Sequence, residues 1–333
     1  MTSLLTPVDI EQQTQILLET LMGSGFENRT SSIIEFDDTT RTFTISPVEE
    51  LACYYWHRGV RWVLRSPSSI IVPDITGIHF FYFDESLLKS ATVDFQTVIT
   101  RHTPIAVVYW DTDTQTSIIF GDERHGREMN CAVHLYNHAT IGARWGRGLQ
   151  PVNVIHGSGD DDTDAQIGIE GGTFWDEDIE FTIPPQSIPL QTPFLYRVGK
   201  HGKWKRSNPT GFVALSIDPN KTAVFNKWDG LTWSLQHVTN NDYFCMHLLC
   251  TNDQRHPFMW IVGQRDYLAL SQARAGASIE FQNLRVGPLE QLLPEFVFIA
   301  TFICQTSTLF INKPKVRIIA SDMLESFVDL RRV

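Results

Sequence analysis

From Ser31 onward, apolar residues fall at every second position, in short runs separated by turn residues. This period of two constrains the fold more than any other feature of the chain. Ile34 and Phe36, an Asp37-Asp38-Thr39 turn, then Phe43 and Ile45 predict a hairpin. Tyr54, Trp56, an Arg58-Gly59 turn, then Val60, Trp62 and Leu64 predict a second. Ser69 to Val72, His79 to Phe83 and Ile105 to Trp110 read as further strands, the last returning as Ser117 to Phe120. A short helix or loop crossing is expected within Glu85 to Thr100. The second half repeats this character in Phe212 to Ile217, Thr222 to Asn226, Leu231 to Val238, Tyr243 to Cys250, Phe258 to Val262, Ser278 to Leu284, Phe296 to Cys304 and Val316 to Ser321, with a helix expected over Tyr267 to Gly276. Short strands at such spacing predict a mainly β protein built of sandwich or barrel-like domains, not βαβ units.

At 333 residues the chain has room for two such domains. Pro184-Pro185 and the stretch to Pro193 suggest the boundary, giving a first β domain over 31–193 and a second over 194–333. Residues 1–30 are expected to form a helical arm. Thr6 can cap it, Pro7 suits the first helical position, and Ile10, Leu17, Leu18 and Leu21 recur at helical spacing before Gly23. One narrow apolar stripe on a short helix needs a partner, so those four residues are candidates for docking or oligomerisation.

Charge and cysteine content narrow the function classes. The formal charge is −11, which excludes a general electrostatic grip on nucleic acid. Met1 to Pro7 has no secretory pattern, and the longest apolar run, Phe296 to Cys304, is strand-sized, so a soluble protein without a membrane span, made in a cytoplasm, is expected. Five cysteines with no CxxC pair predict buried thiols, not a disulfide framework or a zinc-cysteine site.

The stretch Ile118 to Gly148 carries the densest chemistry: the turn Gly121-Asp122-Glu123-Arg124-His125-Gly126, then His134 and His138. An i, i+4 histidine pair can bind zinc on a helix, but Leu135 stands where the metalloprotease motif has its glutamate. A metal-assisted hydrolase around His125, His134 and His138 is therefore the weaker alternative. The preferred reading is structural: Arg124 pairs with Asp122 or Glu123, the histidines hydrogen-bond within the fold, and no metal, cofactor or catalytic residue is assigned. Asp160, Asp162 and Asp164 alternate like the start of a calcium loop, but Ala165 and Gly171 break the pattern. No GxSxG, P-loop or GxGxxG fingerprint occurs. Trp145, Trp175 and Trp204, set among loop residues, are the candidates for sugar contact in the first alternative, a carbohydrate-binding module that touches host surface polysaccharide.

Several blocks resemble the virion tail proteins of tailed bacteriophages, in particular the N-terminal region of tail fibre, baseplate and tail-appendage proteins. They are Ser32 to Pro47, Ile71 to Asp84, the GDERHG turn with His134 and His138, Asn226-Lys227-Trp228-Asp229-Gly230, Thr251-Asn252-Asp253, Gly263 to Tyr267 and Asp329-Leu330-Arg331. The resemblance spans roughly Ser31 to Arg331. It implies a structural, non-enzymatic component of a phage tail that docks on the tail and presents or connects a fibre for host adsorption. Its partners would be other tail, baseplate or fibre proteins and further copies of itself, a trimer above all, with assembly in the host cytoplasm.

Overall fold

The computed structural model describes residues 23–49, 51–321 and 325–332, together with Gln13. Ile10, Leu17, Leu18 and Leu21 lie outside the described residues. The protein is mainly β, with 46% strand and 14% helix. Among the described residues no sheet closes into a barrel, which removes the barrel half of the expected fold.

The chain divides into two compact units, one of Met1–Ile141 with Glu177–Ile179, the other of Gly142–Asp176 with Glu180–Val333. The expected boundary at 193/194 thus falls inside the second unit. The reason is a continuous core: Leu149, Ile167, Phe174 and Ile183 pack in one cluster with Phe194, Trp260 and Phe302, so the prolines between them interrupt no core.

In the first unit the alternation read from the sequence becomes two faces of a strand. Along Ser32–Asp37, residues 32, 34 and 36 are buried and 33, 35 and 37 exposed. This strand pairs antiparallel with Thr42–Pro47, which pairs in turn with Ser68–Ile71. A second three-stranded sheet runs Gly25–Phe26, Cys53–His57, Val60–Leu64. A four-stranded sheet runs Thr116–Asp122, Thr103–Asp111, Gly77–Asp84, Leu87–Ala91. Thr103–Asp111 is buried at every position, as an apolar strand covered on both faces must be. Aromatic rings join the sheets: Phe43 stacks on Phe81 at 4.1 Å between centroids, and Phe36 meets Trp110 at 6.0 Å. The unit also carries the helices α1 (Phe95–Arg101), capped by Asp94, and α2 (Cys131–Thr140), capped by Asn130.

The second unit is built on a seven-stranded sheet whose centre is Phe258–Tyr267, Tyr243–Thr251 and Phe296–Thr306. Phe194–Val198 joins it parallel to Phe258–Tyr267, and the neighbouring pairs of the sheet are antiparallel. Trp260 and Phe302 meet edge-on in its core at 5.6 Å. Helix α3 spans Leu270–Ala277. Two expected strands are absent: Ser278 to Leu284 contains the 3-10 helix Glu280–Asn283, and Phe212 to Ile217 is irregular apart from its buried Val213, Ala214 and Leu215. Cys53, Cys245, Cys250 and Cys304 are buried free thiols, as expected, and Cys131 is half-buried.

Candidate functional site

The charged turn of the first unit is buried. Asp122 ends the strand Thr116–Asp122, and its side chain is wholly inaccessible. Arg124 reaches back to it, donating from Nε and Nη2 to Oδ1 and Oδ2, each at 2.7 Å. Arg124 Nη1 donates to the Arg29 and Ser32 carbonyls, and Arg29 adds a further bond to Asp122 at 3.0 Å. Burial alone would raise the Asp122 pKa; the Arg124 and Arg29 charges outweigh it and hold the carboxyl below its usual range. The expected Arg124–Asp122 pair is therefore present, as a buried fork-to-fork contact.

The backbone beyond this pair carries His125 toward the helix. Phe26 N donates to the His125 carbonyl at 2.8 Å. A Cβ on Gly25 would lie 2.8 Å from Gly126 backbone atoms, so the close approach requires glycine at 25, while one on Gly126 would lie 2.7 Å from Asp178 Oδ2 and displace that side chain. Asn130 then starts α2 by accepting from Ala132 N and Val133 N. One helical turn apart, His134 and His138 lie on one face, both against the edge or face of Phe95.

Three imidazoles converge here on a carboxylate far away in sequence. Glu177 Oε2 lies 3.1 Å from His134 Nε2 and 3.7 Å from His125 Nδ1, and Glu177 Oε1 lies 3.3 Å from His138 Nδ1. Asp178 holds the His125 ring through a 2.6 Å contact to Nδ1 and accepts from Gly126 N at 2.8 Å. His125, His134 and Glu177 side chains are 3%, 5% and 1% exposed. One donor atom from each falls within 4.8 Å of the others. Despite the short distances, His134 Nε2 and both Glu177 oxygens lack a hydrogen-bond partner. Burial and the neighbouring His125 push the His134 pKa down to about 4. Burial works against ionisation of Glu177, yet His134 and His138 hold its pKa at about 2. His134 is thus held neutral beside an ionised Glu177.

The other sequence candidates separate. Trp204 is fully buried in the strand Lys203–Arg206 and donates to the Val286 carbonyl, so it is no sugar contact; it lies on a strand, not in a loop. Trp145 is half-buried, with Arg331 and Arg332 over its ring, and Trp175 alone is exposed, at 41%. In the acidic loop, Asp164 Oδ2 accepts from the amides of Ser158, Gly159, Asp160 and Asp161, while Asp162 pairs with Lys313. Those carboxylates are spent on holding the loop. A cleft of about 640 Å³ in the first unit is lined by His57, Arg58, Asp84, Arg101 and His102, with Asp84 bound to Lys89 at 2.5 Å.

Comparison with protein-family models, with curated proteins and with solved structures finds no match to this chain.

Sequence reasoning missed Glu177 and Asp178. They stand in the acidic run Asp176-Glu177-Asp178 between the strands Gly172–Asp176 and Ile179–Ile183, which reads as an ordinary solvated turn. No sequence signal marks it: acidic turns seldom bury their carboxylates, and only proximity to the histidines in the fold sets this one apart.

Proposed function

We propose that the protein is a structural component of a bacteriophage tail, working by binding and not by catalysis. The observation that carries this reading is the series of sequence blocks shared in pattern with tail fibre, baseplate and appendage proteins, of which GDERHG with His134 and His138 is the most specific. The fate of that turn supports it. Asp122, Arg124 and His125 are committed to partners within the fold, as residues that maintain a shape are. In this reading two sandwich-like domains follow an N-terminal arm, and Ile10, Leu17, Leu18 and Leu21 of the arm dock on the tail or join copies, with a trimer as the favoured assembly. A fibre or another appendage protein binds the remaining surface.

Antibodies raised against the purified chain test the virion assignment by electron microscopy. Labelling at the tail or baseplate of intact particles is the expected result; a chain found only in infected-cell extract and never on particles overturns it. Light scattering of the full chain and of a form lacking residues 1–30 tests the arm. An oligomer that becomes monomeric without the arm is expected.

A further inference from the structure

We propose that His125, His134 and Glu177 bind one zinc-class divalent cation as a structural centre of the first unit, with Asp178 and His138 orienting the donors. This goes beyond the virion reading and does not depend on it.

Four observations lead here. The first is the orphaned atoms. His134 Nε2 and both Glu177 oxygens are buried without hydrogen bonds, a costly arrangement that one cation coordinated by all of them would relieve. The second is spacing. Donors about 2.0–2.1 Å from a tetrahedral zinc are about 3.3 Å apart; Glu177 Oε2 lies 3.1 Å from His134 Nε2, and one donor atom from each of the three residues lies within 4.8 Å of the others. The third is charge. Glu177 places a buried carboxylate among three imidazoles, and a divalent ion would balance its charge. The fourth is the surrounding shell. Metal-bound histidines commonly give their second ring nitrogen to a carboxylate, which is how Asp178 holds His125 Nδ1. His138 Nδ1 lies 3.3 Å from Glu177 Oε1.

Two imidazoles and a carboxylate suit zinc before calcium or magnesium, which favour all-oxygen shells. The donors are too buried for a substrate to reach them. The ion's work is therefore to tie the 121–126 turn, α2 and the 177–179 turn together.

The test uses the full chain, stripped with a chelator and titrated with Co²⁺ and then Zn²⁺. Expected are one equivalent of Co²⁺ with visible d–d absorption, its displacement by one equivalent of Zn²⁺, and a melting temperature that rises on loading. His134→Gln and Glu177→Gln lose the stoichiometric equivalent and the melting response. Asp178→Asn retains the site with affinity reduced about 10–100-fold. Failure of the full chain to take up either ion, or variants that bind it as the parent does, overturns the proposal. Should the ligand variants not fold, X-ray absorption on the zinc-loaded parent decides. A shell of imidazole nitrogen and carboxylate oxygen at about 2.0–2.1 Å supports the site; sulfur at about 2.3 Å overturns it.

Discussion

Asp122 and Arg124 illustrate how a charged pair only two positions apart can be a core element. Neither side chain can be relaxed into water, since they are 0% and 6% exposed. Breaking such a pair costs more than the pair itself contributes, because the remaining charge stays buried without its partner. Asp122→Ala is therefore expected to destabilise the protein by about 3–5 kcal/mol, read as a fall in the urea midpoint. A loss no larger than that of a surface substitution would mean that Arg124 finds another route to solvent. The residue scale is also where the sequence was most legible for this pair and least legible for the histidines. The short separation along the turn limits the partner of Arg124 to Asp122 or Glu123, and the fold selects Asp122. Glu177 lies 52 positions from His125 by number (177 − 125), and no local pattern spans that distance.

At the scale of elements, α2 does the positioning. It is ten residues long, and its average burial is low: His134 is its one buried residue. Such a helix draws little from packing and leans on its cap. Asn130→Ala, which removes the acceptor for two helix amides, should cost about 1 kcal/mol and loosen the register of His134 and His138. Amide hydrogen exchange across 131–140 checks this: faster exchange confined to α2 is expected, and unchanged protection would show that the helix is held by its side-chain contacts instead. The strands were readable because their two faces differ in chemistry, as in Ser32–Asp37. The segments Phe212 to Ile217 and Ser278 to Leu284 misled because an apolar run reports burial, which they have in part, and not the backbone path taken to reach it. The domain boundary misled for a related reason: prolines stop strands, but only a break in the core separates domains, and the core here continues past them.

For the molecule as a whole, acid stability is set by histidines before carboxylates. Burial lowers the pKa of His57, His79, His102, His156 and His256, so each is neutral in the folded protein at a pH where the unfolded chain takes up a proton. The sign follows: stability is full above the unfolded histidine pKa of about 6.5 and declines as pH falls below it toward the folded values. In the presence of a chelator, which removes any contribution from a bound cation, the urea midpoint should drop between about pH 7.5 and about pH 5.5. A flat profile across that interval would show that the buried rings gain compensating partners when charged.

The first unit is also discontinuous, closing only with Glu177–Ile179 after the stretch 142–176 has intervened. On a ribosome this becomes a matter of timing. His125 and His134 are made before their carboxylate exists, and at about 5–20 residues per second the gap lasts roughly 2–10 s. During that interval the nascent N-terminal part has its histidines and lacks the acid that neighbours them. A gene fragment cut after Ile141 would be frozen in that state.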